Sequence, residues 1–89
     1  MIVFTQHAEE QMRIRKIDKK EVIDTLNNPD DLLYDLLEKT FVAVKRLNGK
    51  YLIVVFSLGA GFVKVVTAFR TDKLSMVDNR VKKGRWVKI

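Results

Sequence analysis

The first thirty positions show apolar residues at helical spacing. Residues 2–4 form a short apolar lead, and Thr5 follows as a residue type that caps helices, because its hydroxyl accepts a backbone N–H left free in the first turn. Ala8 and Met12 then lie one helical turn apart, on one side of the segment. The pattern predicts a helix from about Gln6 to Arg15, with residues 2–4 as an edge strand or an apolar contact at its start.

A second helix is predicted directly after the first. Asp18 and Glu21 have the spacing of a capping box, in which the Glu21 carboxylate reaches back to the start of the helix. The helix ends at Asn27-Asn28, because Pro29 disfavours the α conformation in the residue before it. Its apolar stripe consists of three residues, Val22, Ile23 and Leu26.

The middle of the chain alternates in the manner of β-strands. Residues 41–47 and 50–58 flank Asn48-Gly49, the strongest short signal for a hairpin turn. A second turn with two glycines leads to a third strand at 62–70. The result is a three-stranded antiparallel meander. Its middle strand is apolar on both faces, so both faces of the sheet should be covered.

The tail is the expected cover for the second sheet face. We expect a short helix capped by Thr71 or Asp72 and ended by Gly84, with a last strand at 85–89. Residues 30–38 are interpreted as a short strand or an irregular connection. The predicted fold is therefore α+β, one domain over residues 1–89, with two N-terminal helices packed on a three- to four-stranded antiparallel sheet and a short C-terminal helix or strand.

The amino-acid composition limits the kinds of site and the cellular locations that the chain can have. The chain has 89 residues, no cysteine and one histidine, which argues against disulfides and against a zinc site. The N-terminus lacks the pattern of a signal peptide, and the longest apolar run, 51–58, is too short to span a bilayer. We therefore expect a cytoplasmic protein with no cofactor, no metal and no membrane partner.

Charge is unevenly distributed along the chain. The net charge is +6, yet residues 17–38 hold seven acidic and two basic side chains. Residues 39–69 hold five basic side chains and no acidic one, and residues 70–89 hold seven basic and two acidic ones. This polarity favours a polyanionic partner such as RNA. The alternative is a solvated basic surface that only keeps the protein soluble.

The first helix carries the candidate chemistry. His7, Gln11 and Arg15 follow one slowly turning ridge beside its apolar side. Histidine is the side chain whose ordinary pKa lies near neutrality, which makes His7 the natural acid or base. Arg15 suits a phosphate, because a guanidinium group binds two phosphate oxygens at once.

The stretch from His7 to Ile17 resembles the opening of a family of small microbial proteins related to RelE/ParE-like toxins. The pattern of that family is H-A-x-x-R-M-x-x-R-G-I, followed by a second helix that stops at an Asn-Pro-like sequence. Five positions agree, namely His7, Ala8, Met12, Arg15 and Ile17. Two positions depart: Gln11 stands in place of arginine, and Lys16 stands in place of glycine.

The resemblance implies a RelE/ParE-like fold and a toxin-like protein that acts on RNA as a metal-independent endoribonuclease, with an antitoxin as partner. His7 would be the catalytic acid or base, and Arg15 and Arg70 would stabilise the charge that develops on phosphorus. Lys64 and Arg70 are expected on the same side of the third strand, because their numbers differ by an even count. The remaining candidates for nucleic-acid contact are basic side chains of the sheet and tail: Lys45, Arg46, Lys64, Arg80 and Arg85.

Each candidate also has a structural interpretation. A histidine early in a helix often caps the helix or makes hydrogen bonds, and the alternative role of Arg15 is an ion pair with carboxylates of the acidic second helix. Tyr51 and Trp86 are interpreted first as packing residues, although an aromatic ring also stacks on bases. Two rival functions stay open: a nucleic-acid-binding module without catalysis, and a ParE-like toxin that inhibits a protein target without cleaving RNA.

Overall fold

The computed structural model describes the backbone of residues 1–89 and every side chain except those of Leu47 and Leu74. Its elements, in chain order, are β1 (Ile2–Phe4), α1 (Gln6–Arg15), α2 (Lys19–Asn27), β2 (Asp31–Asp35), β3 (Thr40–Leu47), β4 (Lys50–Gly59), β5 (Phe62–Thr71), α3 (Leu74–Lys82) and β6 (Trp86–Lys88). Among these helices, none has the length and apolar character needed to cross a membrane.

All six strands form one sheet in the order β1-β5-β4-β3-β2-β6. The predicted meander of β3, β4 and β5 is confirmed, and so is the α+β class. The predicted number of strands is too low, because β1 and β6 have only three residues each and carry little pattern. The sheet is mixed rather than antiparallel, since β1 pairs with β5 in parallel.

Apolar side chains cover both faces of the sheet, as the pattern of β4 predicts. On the helix face, Ala8 and Met12 of α1 and Val22 of α2 pack against inward residues of β3, β4 and β5. On the opposite face, called the tail face here, Val77 of α3 and Trp86 pack against the sheet. The prediction that the tail covers the second face is confirmed.

The C-terminus of α1 explains one departure from the family pattern. Lys16 has φ 56° and ψ 48°, the left-handed conformation that glycine adopts without strain. The N–H of Ile17 donates to the Met12 carbonyl at 2.8 Å, and both side chains are buried. This is a Schellman end with its apolar contact. The glycine of the family pattern therefore corresponds to a backbone requirement, which Lys16 meets at an energetic cost.

α1 also covers an open edge of the sheet. β1 pairs with β5 only as far as Val65, so the carbonyls beyond that point lack a strand partner on this side. Thr5 Oγ1 donates to the Val66 carbonyl at 3.4 Å, and Arg15 Nη1 donates to the Ala68 carbonyl at 2.9 Å. Two polar side chains of the N-terminal segment thus bind the edge that a further strand would otherwise occupy.

A buried carboxylate, Asp35, fastens the tail. It accepts hydrogen bonds from the Trp86 indole at 2.9 Å and from Arg85 Nε at 3.2 Å, as well as from the N–H groups of Leu37 and Glu38. Burial alone would raise the pKa of Asp35, but the donors of Glu38, Trp86 and Leu37 and the charge of Arg85 outweigh it and hold the pKa below its usual value. β6 is therefore anchored by the charged form of Asp35.

The predicted cap of α3 is wrong. The residue that precedes the helix is Lys73, which makes no side-chain cap, and not Thr71 or Asp72. The Thr71 hydroxyl instead accepts the N–H of Lys73 at 3.1 Å, two residues on. A threonine hydroxyl satisfies either a helix start or a local turn, and here it forms the turn.

Candidate nucleic-acid interface

A β-bulge separates the two basic residues of β5. Val65 pairs with Phe56 and Thr67 pairs with Val55, so Val66 has no partner and the alternation of side chains reverses there. Val65 and Ala68, three positions apart, consequently share the helix face. Arg70 lies on the helix face and Lys64 on the tail face, so the expectation that they share a side is wrong.

Arg70 joins three segments at the end of the helix layer. Its Nη1 donates to the carbonyls of Arg15 and Lys16 at 3.1 and 3.2 Å, which are free acceptors at the C-terminus of α1. Its Nη2 lies 2.9 and 2.8 Å from the two oxygens of Glu21 at the start of α2. The Arg70 side chain is still 34% exposed. Arg70 therefore holds the α1–α2 junction on β5, while part of its side chain stays at the surface.

Arg15 lies beside Arg70 and also has structural contacts. Besides its bond to β5, its guanidinium carbon lies 6.0 Å from the centre of the Phe69 ring. The residue as a whole is exposed. The structure therefore brings Arg15 and Arg70 together at one corner of the sheet, as two of the three predicted catalytic residues.

His7 lies away from that corner. It is exposed in the first turn of α1, whereas Arg15 is the last residue of the same helix. Eight helical positions correspond to about 12 Å along the axis. The imidazole is open to solvent, but it does not line the clefts at the Arg70 corner.

The two basic residues of β3 face opposite ways. Lys45 Nζ donates to the Asn28 carbonyl at 2.7 Å, which places it at the end of α2 on the helix face. Arg46 pairs with Tyr51 across the hairpin, and its guanidinium carbon lies 5.5 Å from the Tyr51 ring centre. Tyr51 packs against the apolar cluster of the tail face, so Arg46 belongs to that face.

The basic residues of the tail are occupied by the tail itself. Arg80 lies over the Trp86 ring at 4.9 Å, and Arg85 pairs with Asp35 at 3.2 Å and with Glu38 at 3.8 Å. These contacts agree with the structural interpretation of both residues. The five predicted nucleic-acid contacts are therefore distributed over both faces and the tail and do not form one patch.

A cleft that the sequence did not predict lies at the end of the β3–β4 hairpin. It has a volume of about 580 Å³ and is lined by Glu21, Asn48, Lys50, Tyr51, Leu52 and Arg70. A smaller cleft of about 310 Å³ adjoins it, because Lys50 and Arg70 line both, with Thr71 and Asp72 completing the wall. We call the two together the rim cleft.

The rim cleft combines two cations, an aromatic residue and two carboxylates, Glu21 and Asp72. Arg70 presents a fork for phosphate oxygens, and the exposed Lys50 presents a compact charge. Sequence reasoning missed Lys50 and interpreted Tyr51 first as a packing residue. Their position in the sequence could have indicated both residues. They directly follow the Asn48-Gly49 turn and so lie at a hairpin end, and loops and strand ends often carry binding residues.

A metal site finds no support at this surface. In the side chains that the structure describes, no three residues among histidine, cysteine, aspartate and glutamate come together in a way that would hold an ion.

Comparison with known proteins gives one finding. A family model described as "Domain of unknown function (DUF4258)" matches residues 4–70, which extend from β1 to nearly the end of β5 and include all residues of the larger part of the rim cleft. No curated protein and no solved structure matched the chain.

Proposed function

Since the chain belongs to the DUF4258 family, a family without an assigned function, we propose from the site itself that this is a toxin-like protein that binds RNA through phosphates held in the rim cleft. The observation that carries the proposal is the convergence of Lys50 and Arg70 on one open cleft at the hairpin end, where Tyr51 also lies. Cations hold the phosphate chain and an aromatic ring holds a base, which is the combination that single-stranded nucleic acids require.

The charge around the cleft supports a polyanion. Residues 39–69, which include the β3–β4 hairpin, contain five basic side chains and no acidic one. Arg15 and Lys16 adjoin the cleft through their contacts with Arg70 and are both exposed. An RNA chain that approaches the hairpin end therefore meets a locally positive potential, which raises its association rate and its affinity.

Glu21 opposes phosphate in the same cleft and has to be displaced from Arg70. Its carboxylate already accepts both contacts from Arg70 Nη2 and a further bond from the Asp18 N–H at 3.3 Å. Phosphate binding therefore competes with an internal ion pair. We expect moderate affinity that falls steeply with salt, because counterion release supplies much of the free energy.

The same carboxylate supports a second candidate function, a metal-independent endoribonuclease. Cleavage of RNA by its own 2′-hydroxyl needs a base and a cation close to the same phosphate. Glu21 and Arg70 are a carboxylate and a guanidinium in one cleft, 2.8 Å apart. His7 would act in this reaction only on an RNA that extends along α1, since it lies about 12 Å from the end of the helix.

The proposed partner under either candidate is an antitoxin that covers the cationic rim. Growth and RNA integrity test the proposal in cells. We would express the wild type, Lys50→Ala, His7→Ala and Lys20→Ala under tight control, the last being a matched charge loss on the exposed face of α2. Purified proteins would be titrated with a labelled ten-nucleotide RNA at several salt concentrations.

RNA binding that weakens in Lys50→Ala and stays near wild type in Lys20→Ala supports the proposal. Loss of one phosphate contact should lower the salt slope by about 0.7. RNA cleavage by the wild type would support the endoribonuclease candidate. Loss of cleavage in His7→Ala would assign the imidazole a role in it. Growth arrest with intact RNA and no RNA binding would contradict the proposal and favour a toxin directed at a protein.

A further inference from the structure

Tyr51 lines both the rim cleft and a second cleft, which lies on the tail face at the hairpin end. The second cleft has a volume of about 490 Å³ and is lined by Asp30, Asp31, Val44, Arg46 and Tyr51. We call it the tyrosine cleft. Tyr51 is thus common to both clefts. The rim cleft holds the cations Lys50 and Arg70 with the carboxylates Glu21 and Asp72, and the tyrosine cleft holds Arg46 with two carboxylates.

One face of the Tyr51 ring accommodates a planar group. The Arg46 guanidinium carbon lies 5.5 Å from the ring centre, and its Nη2 lies 3.4 Å from the tyrosine oxygen. Arg46 is exposed, whereas Tyr51 is half-buried against the tail-face cluster. The ring is therefore packed against the core, whereas the guanidinium lies at the surface. A flat base can take the place of the guanidinium or stack on it.

The two carboxylates define the polarity of the tyrosine cleft. Asp30 and Asp31 are both exposed, and Asp30 Oδ2 accepts the backbone N–H of Arg46 at 2.7 Å, which holds that carboxylate beside the ring. An ionised carboxylate only accepts hydrogen bonds and repels phosphate. The tyrosine cleft, with two carboxylates and the single cation Arg46, is therefore better suited to the donor edge of a base than to phosphate.

We propose that the tyrosine cleft is a nucleobase subsite of the RNA-binding surface, in which the base of an unpaired nucleotide stacks on Tyr51 on the tail face, while phosphates of the same strand lie around the hairpin end at Lys50 and Arg70. This inference rests on the proposed function and adds the substrate class, which is single-stranded RNA. Paired bases are stacked inside a helix, so a duplex of the same length offers phosphates but no free base.

The carboxylates add a preference between pyrimidines. Cytosine carries an amino donor at its position 4, whereas uracil carries an oxygen acceptor at the same position. Asp30 and Asp31 accept from the amino group and repel the oxygen. The tyrosine cleft should therefore bind cytosine in preference to uracil.

Binding of labelled ten-nucleotide RNAs, followed by fluorescence anisotropy, tests the subsite. The probes are oligocytidine, oligouridine, an abasic strand of the same length and a duplex. We expect the wild type to bind oligocytidine at least about fivefold more tightly than the abasic strand, the low end of the measured contribution of base stacking. Oligouridine should fall between them, and the duplex should behave like the abasic strand.

Two substitutions at Tyr51 supply the matched comparison. Tyr51→Phe keeps the ring and should retain oligocytidine binding within about twofold, whereas Tyr51→Leu should weaken it about fivefold or more. Asp31→Asn should reduce the preference for cytosine over uracil. Circular dichroism verifies that each variant is folded.

The four probes distinguish RNA binding as such from base recognition at Tyr51. If no probe binds the wild type, the proposed function fails. If all four probes bind with equal affinity, RNA binding stands and the base subsite is overturned. This comparison needs no variant, so a folding defect in Tyr51→Leu cannot obscure it. Equal affinity for oligocytidine and oligouridine would overturn the role of the carboxylates.

Discussion

The substitution Glu21→Gln should lower the stability of the protein and raise its affinity for RNA. It removes the charge that engages Arg70 and leaves a side chain of the same shape. Stability falls because the ion pair joins α2 to β5. Affinity rises because Arg70 becomes available to phosphate. Stability and RNA affinity change in opposite directions only if the Arg70 guanidinium both stabilises the fold and binds phosphate.

The geometry sets the expected magnitude. Arg70 Nη2 lies 2.9 and 2.8 Å from the Glu21 oxygens, but the two side chains are 34% and 31% exposed, so solvent screens the pair. A surface ion pair of good geometry contributes at most about 1 kcal/mol. Loss of about 1 kcal/mol lowers the Tm of a domain of this size by about 4–8 °C. In the variant, phosphate no longer has to break the ion pair, so the same energy of about 1 kcal/mol tightens phosphate binding about fivefold.

Asp24→Asn is the matched control, because Asp24 is exposed on the same helix and its carboxylate carries the same charge. It should raise RNA affinity only slightly and leave the Tm within about 1–2 °C of wild type, since a surface charge away from such contacts has a small effect on stability. Thermal denaturation followed by circular dichroism gives the first quantity, and fluorescence anisotropy with the ten-nucleotide RNA gives the second.

Two results would refute this reasoning. An equal rise in affinity for Glu21→Gln and Asp24→Asn would show that only the net charge matters. A fall in affinity for Glu21→Gln would show that the carboxylate positions Arg70 for RNA, or acts on it directly, and does not compete with phosphate.

Three further predictions concern stability. Lys16→Gly should raise the free energy of unfolding by about 0.5–1 kcal/mol in urea titrations, because Lys16 is left-handed, whereas Lys16→Ala should not. The pKa of Asp35 in the folded protein lies below its ordinary value of 3.8, so its ionised side chain stabilises the fold fully above pH 3.8 and stops doing so as the pH falls through the folded-state pKa. The difference in unfolding free energy between the wild type and Asp35→Asn should therefore shrink as the pH is lowered, which acid denaturation measures. Gly59→Ala should cost about 1 kcal/mol, because its new Cβ would overlap the Phe62 ring, and calorimetry should show a smaller cost in a Phe62→Ala background.

The long elements were predictable from the sequence because their signals are local. The Asn48-Gly49 turn fixed the meander, and Pro29 ended α2 where the pattern required. The three-residue strands β1 and β6 were harder, since so short a segment has no period to detect. Their pairing depends on partners more than twenty residues away in β5 and β2.

The candidate site was less predictable, for two physical reasons. The bulge at Val66 reversed the alternation of β5, and a single extra residue leaves no sequence signature when its neighbours are also valine and threonine. Arg70 was identified as a functional candidate, but its bonds to the end of α1 and to Glu21 depend on how the helix layer docks. Long-range register, which local spacing does not encode, decides both features.

Residue-resolved mapping of the bound RNA tests the central claim most directly. The protein would be labelled with ¹⁵N and titrated with a ten-nucleotide oligocytidine while backbone amide signals are followed at low and high salt. The account predicts that the shifts concentrate at residues 30–31, 46, 48–52 and 70–72, weaken with salt and are reduced in Lys50→Ala. Shifts confined to residues 6–10, shifts spread evenly over the surface, or no shifts at low salt would contradict it.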